Sequence, residues 1–362
     1  MSNTVPDGSP DAALAEIRRL LGSDAALASV RATELLRSVP GHPLATLYLG
    51  MGRRLAGDPT GAIEALEPLA RARPEWAVAH YELGRALGAA GRGGQAIAAL
   101  RRATALEPAL PGAWCSLAAE LRAAGDATGA DAVVDDRIRV SAGDPRLGAA
   151  SAAVRENRLA EANTLLRRHL DADPTDVVAM RMLAEVGSRL GQHADAAMLL
   201  ARCLELAPGY AAARHLYAIT LNQQMRFREA LREISLALDA DPGNANYRTV
   251  KAALLVRTGD FDRAIDEYAD VLAEYEQQPR IWMSYGDALK AAGRQADSIA
   301  AYRRSIAISP ELGEAWWGLA DLKTWTFAAD DIAGMRRQIR RSDLSADDRL
   351  HFEFALGKAL ED

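Results

Sequence analysis

The chain has 362 residues and a formal net charge of −6, and 49% of its residues are apolar but only 6% are aromatic. A nucleic-acid-binding protein needs a concentrated basic face, and neither the net charge nor any run of like charge provides one. No apolar stretch approaches the roughly 18 residues of a membrane-spanning helix, so we expect neither nucleic acid nor a membrane as a partner.

The polar residues 1–8 contain no apolar segment of the kind found in secretory signals. We expect them to be disordered, and we expect the protein to be cytoplasmic. The two cysteines, Cys115 and Cys203, are far apart in sequence and form no CxxC motif. A disulfide scaffold or a zinc site is therefore not predicted.

Two residue types mark a period of 34 residues along the chain. Prolines recur at this spacing or near its double, at Pro40, Pro74, Pro108, Pro174, Pro208, Pro242 and Pro310. Glycines do the same at Gly57, Gly91, Gly125, Gly191, Gly259 and Gly293. Glycine closes a helix C-terminus in the left-handed conformation, and proline fits the start of the next helix. Each period is therefore predicted to be helix A, a glycine turn, helix B and a proline turn.

The unit resembles the tetratricopeptide repeat (TPR). In "GAWCSLAAELRAAGD", Trp114, Leu117, Ala118 and Leu121 match the W-x2-L-G/A-x2-Y/L pattern of its helix A, and "RIWMSYGDALKAAGR" repeats the match. Small residues such as Gly84, Ala96 and Ala103 permit close approach of paired helices. Frames begin near residues 9, 43, 77, 111, 143, 177, 211, 245, 279 and 313. The unit from 143 is the weakest, with Asn157 at the turn-glycine position, and the first unit is degenerate.

The resemblance implies an all-α fold without a sheet. We expect about nine to ten TPR helix-turn-helix units over residues 9–327, stacked into a right-handed α-solenoid, followed by a pair of junction helices over 328–362. Such stacks bury a continuous core between neighbouring repeats.

Several short motifs imitate chemical sites without the residues that the chemistry requires. Gly91 in "GRGGQ" is the turn glycine of its repeat, and no GK[ST] follows, so it is not a phosphate loop. "GKA" at 357–359 lacks the upstream glycine and the hydroxyl residue. The six histidines show no HxxxH or HExxH spacing. We predict no catalytic, cofactor-binding or metal-binding residue in this chain.

The candidate site is the groove lined by positions 2, 5, 9 and 12 of the helices A. These positions give Tyr81, Arg85, Arg181, Glu185, His215, Asn222, Arg280, Met283, Asp287, Lys290, Trp317 and Asp321. We expect Arg181 and His215 to be exposed. No unit has the lysine and asparagine of the chaperone-type carboxylate clamp, so chaperone C-terminal tails are not expected ligands. The charged side chains among these candidates alternate between cations and anions, and this favours an extended peptide or protein over a polyanion as the ligand. The alternative is that the groove contacts only solvent and binds no ligand.

After Leu319 the repeat pattern changes. "AADDIAGMRRQIRR" predicts an amphipathic helix with Ile332, Met335 and Ile339 on one face. Ser345 then resembles an N-cap before "HFEFALGKALED", where "LGKAL" matches L-G-x2-L of a helix A. This final stretch reads as the first half of a repeat without its second half.

The C-terminal stretch resembles the junction of bacterial TPR sulfotransferases. The likeness rests on Trp316, Trp317, Leu319, Ala320, Leu322, Lys323, Thr324, Phe327, Asp343, Leu344, Asp348, Arg349, Leu350 and residues 355–362. It implies that the chain is the repeat region of a longer enzyme that transfers sulfuryl from phosphoadenosine phosphosulfate to an acceptor. The repeats would then position a peptide or protein acceptor or mediate homo-oligomerisation. A stand-alone scaffold or adaptor, and repeats attached to another transferase or a hydroxylase, remain alternatives, because fold alone does not determine function.

Overall fold

A computed structural model describes residues 9–322 and 325–361, and this part of the chain contains twenty-one α-helices and no strand. The predicted all-α solenoid of paired helices is confirmed. The prediction of disorder for residues 1–8 lies outside the described residues, as do Lys323, Thr324 and Asp362, three of the residues that carry the sulfotransferase likeness.

The chain forms two compact units. The first contains the described residues up to Gln192 together with Ala201–Gly209. Its helices, in chain order, are α1 (Pro10–Leu20), α2 (Ala25–Ser38), α3 (Pro43–Leu55), α4 (Pro59–Ala72), α5 (Ala77–Ala89), α6 (Gly93–Leu106), α7 (Ala113–Ala123), α8 (Ala127–Ala142), α9 (Pro145–Arg155), α10 (Leu159–Ala172) and α11 (Val177–Arg189). The next helix, α12 (His193–Leu206), contributes residues to both units.

The second unit contains His193–Leu200 and the chain from Tyr210 onward. Its helices are α13 (Ala211–Gln223), α14 (Phe227–Ala240), α15 (Ala245–Thr258), α16 (Phe261–Glu274), α17 (Pro279–Ala291), α18 (Gln295–Ile308), α19 (Gly313–Ala320), α20 (Ala329–Ile339) and α21 (Ala346–Glu361). In each unit the odd-numbered helices up to α19 begin within two residues of the predicted frames.

The turn between helix A and helix B requires a left-handed residue in every unit from the frame at 43 to the frame at 279. The six glycines named above as markers of the period all have positive φ. In the two remaining units this residue is Asn157 (φ 60°) or Met225 (φ 61°). Asparagine tolerates this conformation because its short polar side chain can hydrogen-bond to the nearby backbone. The methionine side chain has no such hydrogen bond to offset the cost. The geometry of the turn is therefore kept even where glycine is absent.

Close packing of helix A on helix B depends on a small residue at position 8 of the repeat, counted from the first residue of each frame. A methyl group added at Gly84 would lie 2.6 Å from Cγ of Leu100, and one added at Gly286 would lie 2.8 Å from the ring of Tyr302. Leu100 and Tyr302 both occupy position 24 and are fully buried. A position-8 glycine on helix A is therefore the seat for a large side chain from helix B.

The tryptophan of the helix-A motif ties each helix to the preceding turn. The indole nitrogen of Trp114 donates a hydrogen bond to the Pro108 carbonyl at 2.8 Å, and that of Trp316 donates to the Pro310 carbonyl at 3.0 Å. Trp282 makes the same bond to the carbonyl of Glu276 at 2.8 Å. Because the aromatic body packs while its single donor is satisfied, these residues fix the angle at which the chain enters helix A.

The C-terminal helices follow the predicted pattern. Helix α20 buries Met335 completely. Ser345 Oγ accepts a hydrogen bond from the Asp348 backbone amide at 3.0 Å and so caps α21, as predicted. Helix α21 runs parallel to α19, because their contacts advance in the same direction along both helices. The Gly313 amide lies 2.9 Å from Asp348 Oδ1, and the ring centroids of Trp316 and Phe352 are 6.1 Å apart.

Candidate peptide-binding surface

In the first unit, Tyr81 and Arg85 lie on α5 and are half-buried. The Arg85 guanidinium lies 5.4 Å from the centre of the Tyr81 ring, and Arg85 Nη1 lies 3.5 Å from Glu82 Oε1. Glu82 is buried and also accepts a hydrogen bond from Arg54 Nη2 at 3.0 Å. These two candidates are therefore held within a network of α3 and α5 side chains.

The other pair of candidates in the first unit lies on α11. Arg181 Nη1 and Glu185 Oε2 are 3.2 Å apart, one helical turn from each other, and both side chains are half-buried. The expectation that Arg181 is exposed is wrong. Its head group pairs with Glu185 on the same helix.

His215 and Asn222 lie on α13 in the second unit. The expectation that His215 is exposed is also wrong, because its ring lies 4.9 Å from the Tyr247 ring of α15 and is half-buried. This burial lowers the pKa of His215 below its ordinary value of 6.5. Asn222 Oδ1 is buried without a hydrogen-bond partner among the described residues.

On α17 the structure separates the candidates by exposure. Arg280 and Asp287 are exposed, and Asp287 Oδ1 accepts a hydrogen bond of 2.6 Å from the Tyr302 hydroxyl. Met283 is only 8% exposed and belongs to the core with Tyr302 and Leu319, so its nomination as a groove residue is wrong. An apolar side chain at position 5 packs between its own helix and the next helix A, and its removal from water there is favourable.

Two contacts join candidates on α17 and α19 and continue to α21. Lys290 Nζ of α17 lies 3.0 Å from Oδ2 of Asp321, the residue that directly follows α19. Trp317 of α19 lies 5.7 Å, centroid to centroid, from Phe354 of α21. Phe354 was missed by the sequence analysis, although it occupies position 5 of a frame beginning at Leu350. We call the exposed and half-buried residues Asp287, Lys290, Trp317, Asp321 and Phe354 the helix-A surface of the second unit.

The sequence analysis also missed a buried polar cluster in the first unit. Arg137 Nη2 donates hydrogen bonds to Asp173 Oδ2 at 2.5 Å and to Asp176 Oδ2 at 2.8 Å. The same Asp176 oxygen accepts from Ser141 Oγ at 3.1 Å and lies 3.0 Å from His169 Nε2. All five side chains are buried.

The sequence did contain a signal for this cluster. Arg137 and His169 both occupy position 27 of their units, a position that holds the small residues Ala103, Cys203 and Ala237 elsewhere. The cluster is closed to solvent, and its side chains hydrogen-bond to one another. We therefore interpret it as a structural link between α8 and the loop that precedes α11.

The two thiols are not activated. Cys203 is completely buried, and burial raises the pKa of its thiol to about 12. Cys115 is half-buried, and burial raises its pKa as well. Within residues 9–322 and 325–361, no group of three or more His, Cys, Asp or Glu side chains is arranged to hold a metal ion. In the same part of the chain, no helix is long and apolar enough to cross a membrane.

The stacked helix pairs define a helical repeat protein of the interaction class. The chain belongs to the tetratricopeptide repeat family, whose profile matches residues 49–113, 147–211 and 249–312. A second tetratricopeptide repeat profile matches residues 189–254.

Several solved structures resemble the chain. A tetratricopeptide repeat protein from Parabacteroides merdae is 14% identical, with 78% of this chain and 97% of that one covered and a TM-score of 0.47. MamA from Desulfovibrio magneticus is 12% identical, with 46% and 93% covered and a TM-score of 0.43. Another MamA structure is 17% identical, with 45% and 95% covered and a TM-score of 0.41. No curated protein matches the chain.

Proposed function

We propose that this chain is a protein-interaction region whose helix-A surface in the second unit holds an extended segment of a partner protein. The observation that carries the proposal is the pair Lys290–Asp321, which joins a nominated side chain of α17 to one that directly follows α19. A partner that crosses successive helices A would meet both residues.

The chemistry of this surface favours a peptide that carries both charges and an apolar anchor. Asp287 and Asp321 offer exposed carboxylates, while Lys290 and Arg280 offer cations nearby along the same helices. The rings of Trp317 and Phe354 add flat apolar area at a small cost in conformational entropy, and such aromatic residues often dominate binding energy. Lys290 and Asp321 already pair with each other, so a ligand that binds them must replace this ion pair with ion pairs of its own. Only a ligand with charges at complementary positions can do so, and this favours specific sequences.

Photo-crosslinking tests the location of the site. Random peptides displayed on phage would be selected against the full chain, and the selected peptides would be resynthesised with a photoreactive benzophenone. We expect crosslinks on α17, α19 and α21. Crosslinks confined to the helices B of the second unit would contradict the proposal.

We further propose, on the likeness of residues 316–362 to the junction of TPR sulfotransferases, that the region serves a cytoplasmic sulfotransferase. The donor would be phosphoadenosine phosphosulfate, and the repeats would position the acceptor or mediate homo-oligomerisation. The family match supports a stand-alone scaffold equally well. The coding sequence after the codon for Asp362 separates the two. A strand followed by an Arg-Ser-Gly loop would support the sulfotransferase, and an immediate stop codon would support the scaffold.

A further inference from the structure

Helix α20 and the residue that directly follows it carry three arginines on the side opposite the core. Arg336, Arg337 and Arg340 are all exposed. On the other side of the helix, Met335 is completely buried in a core cluster, and Ile332 packs against that cluster. We call the three exposed residues the arginine stripe.

The arginine stripe lacks carboxylates of its own. None of its guanidinium groups forms an ion pair with another residue in the described part of the chain. Exposed arginines on other helices are commonly matched by a carboxylate three or four residues away. At those distances from Arg336 and Arg337 the sequence holds only apolar residues, glycine and further arginines. Asp343, three residues after Arg340, pairs with Arg341 instead, at 2.8 Å.

The fold does not need the arginine stripe to stabilise the end of α20. A cation near the last carbonyl groups of a helix interacts favourably with the helix dipole. Arg349 of α21 already fills this role, because its guanidinium donates hydrogen bonds to the carbonyl oxygens of Ile339 and Arg341. Arginines one turn apart, such as Arg336 and Arg340, repel each other and destabilise a helix. An anionic partner would remove this repulsion.

We propose that the arginine stripe binds an acidic segment of a partner protein. A planar guanidinium group matches a carboxylate with two parallel hydrogen bonds. The spacing of Arg336 and Arg340 suits glutamates that are one helical turn apart in the partner. The stripe belongs to α20 and includes no residue of the helix-A surface, so its occupation does not depend on the function proposed above.

Two other anionic partners fit the arginine stripe less well. Nucleic acid is bound through many phosphate contacts, whereas the stripe spans only about 6 Å along the helix axis, and the chain as a whole has a net charge of −6. A helix that lies on a membrane surface needs a free apolar face. The apolar face of α20, with Ile332, Met335 and Ile339, is instead packed into the core.

The test measures the binding of synthetic peptides to the full chain by fluorescence anisotropy. The acidic peptide is alanine-based and carries pairs of glutamates one helical turn apart, and in the control peptide every glutamate is replaced by glutamine. We expect saturable binding of the acidic peptide at about 50 mM salt and weaker binding at about 200 mM salt, because salt screens exposed charges. We expect no saturable binding of the control peptide.

Variants of the full chain locate the binding. The stripe variant carries Arg336→Gln, Arg337→Gln and Arg340→Gln. It should bind the acidic peptide at least about fivefold more weakly than the parent chain, while glutamine keeps a helix propensity close to that of arginine. The control variant removes the same charge from three exposed arginines of the first unit, by Arg18→Gln, Arg19→Gln and Arg37→Gln. It should leave the binding unchanged.

A reversal of charge separates loss of the site from loss of folding. Arg336→Glu with Arg340→Glu should bind a peptide with lysine in place of each glutamate at least about fivefold more tightly than the parent chain does. A misfolded variant would not gain such an affinity. Arg18→Glu with Arg37→Glu is the matched control and should show no such gain. Equal affinities of the charge-reversed chain and the parent for the lysine peptide would contradict the proposal.

Three further results would overturn the proposal. The first is no binding of the acidic peptide at concentrations up to about 1 mM. The second is an equal loss of binding in the stripe variant and the control variant, because the peptide would then respond to net charge alone. The third is tighter binding of a single-stranded oligothymidylate than of an acidic peptide with the same charge, lost only in the stripe variant, because it would assign the stripe to nucleic acid.

Discussion

Arg137 and Asp176 form a buried ion pair, with Nη2 and Oδ2 2.8 Å apart and both side chains closed to solvent. The other carboxylate oxygen of Asp176 caps α11 by accepting hydrogen bonds from the amides of Val178 and Ala179. One side chain thus neutralises a buried cation and begins a helix. The pair joins α8 to α11. It lies in the part of the chain where the frames at 111 and 143 are two residues closer together than the period of 34.

Replacement of Asp176 should destabilise the first unit strongly. Asp176→Ala leaves the Arg137 guanidinium buried with only Asp173 as a carboxylate partner and removes the cap. We expect a loss of about 3–5 kcal/mol in the free energy of unfolding, measured by urea unfolding with circular dichroism. Asp24→Ala removes an exposed helix cap of α2 without a buried ion pair and should cost about 1 kcal/mol. Equal losses in the two variants would show that the ion pair contributes nothing.

Replacement of Met225, in the turn between α13 and α14, should increase the stability of the fold. Its backbone is left-handed at φ 61°, and its side chain is 69% exposed, so the residue carries strain and contributes little packing. Met225→Gly should raise the free energy of unfolding by about 1 kcal/mol. The reverse change, Gly191→Met, meets open space at the equivalent turn and should lower stability by a similar amount. If neither Met225→Gly nor Gly191→Met changed the free energy of unfolding, the proposed backbone strain at Met225 would be refuted.

The low pKa of His215 predicts a pH dependence of stability with a defined sign. Because burial against Tyr247 lowers the folded-state pKa below 6.5, the unfolded chain binds the proton more readily. Stability from this residue is therefore complete above pH 6.5 and is lost as the pH falls below that value. His215→Gln should show a smaller loss of unfolding free energy between pH 7.5 and 5.5 than the parent chain. An NMR titration that gave His215 a pKa above 6.5 would contradict this sign.

The cysteines should differ in reactivity from a free thiol. With a thiol pKa of about 12 and complete burial, Cys203 should resist iodoacetamide at pH 8 in the folded chain, since the thiolate is the reactive form. Cys115, half-buried with a raised pKa, should react more slowly than a peptide thiol. Mass spectrometry of the two sites measures both rates. Modification of Cys203 in the native chain as fast as in denaturant would be inconsistent with its position.

The period of 34 residues predicted nearly all of the fold, because proline and glycine act through backbone geometry that is local. The turns at Asn157 and Met225 follow from the spacing alone, since the period requires a left-handed residue there whatever its type. Surface positions were predicted less well. Position 5 is half-buried at Trp317 but buried at Met283, because exposure depends on the size of the neighbouring helix surface, which is a tertiary property.

The polar cluster around Arg137 was beyond a periodic analysis for a related reason. A small-residue position that holds Arg137 in one unit and His169 in the next signals a departure from the pattern. Only the folded chain shows that both residues reach Asp176.

The most direct test of the central claim is the affinity of library-selected peptides for a charge variant of the helix-A surface. Asp287→Ala with Asp321→Ala removes two exposed carboxylates of α17 and its neighbour. Asp262→Ala with Asp297→Ala removes two exposed carboxylates of α16 and α18 and serves as the matched control. Fluorescence anisotropy should show at least about tenfold weaker binding for the first variant and unchanged binding for the second. Unchanged binding in the first variant with a loss in the second would contradict the assignment of the partner to the helix-A surface.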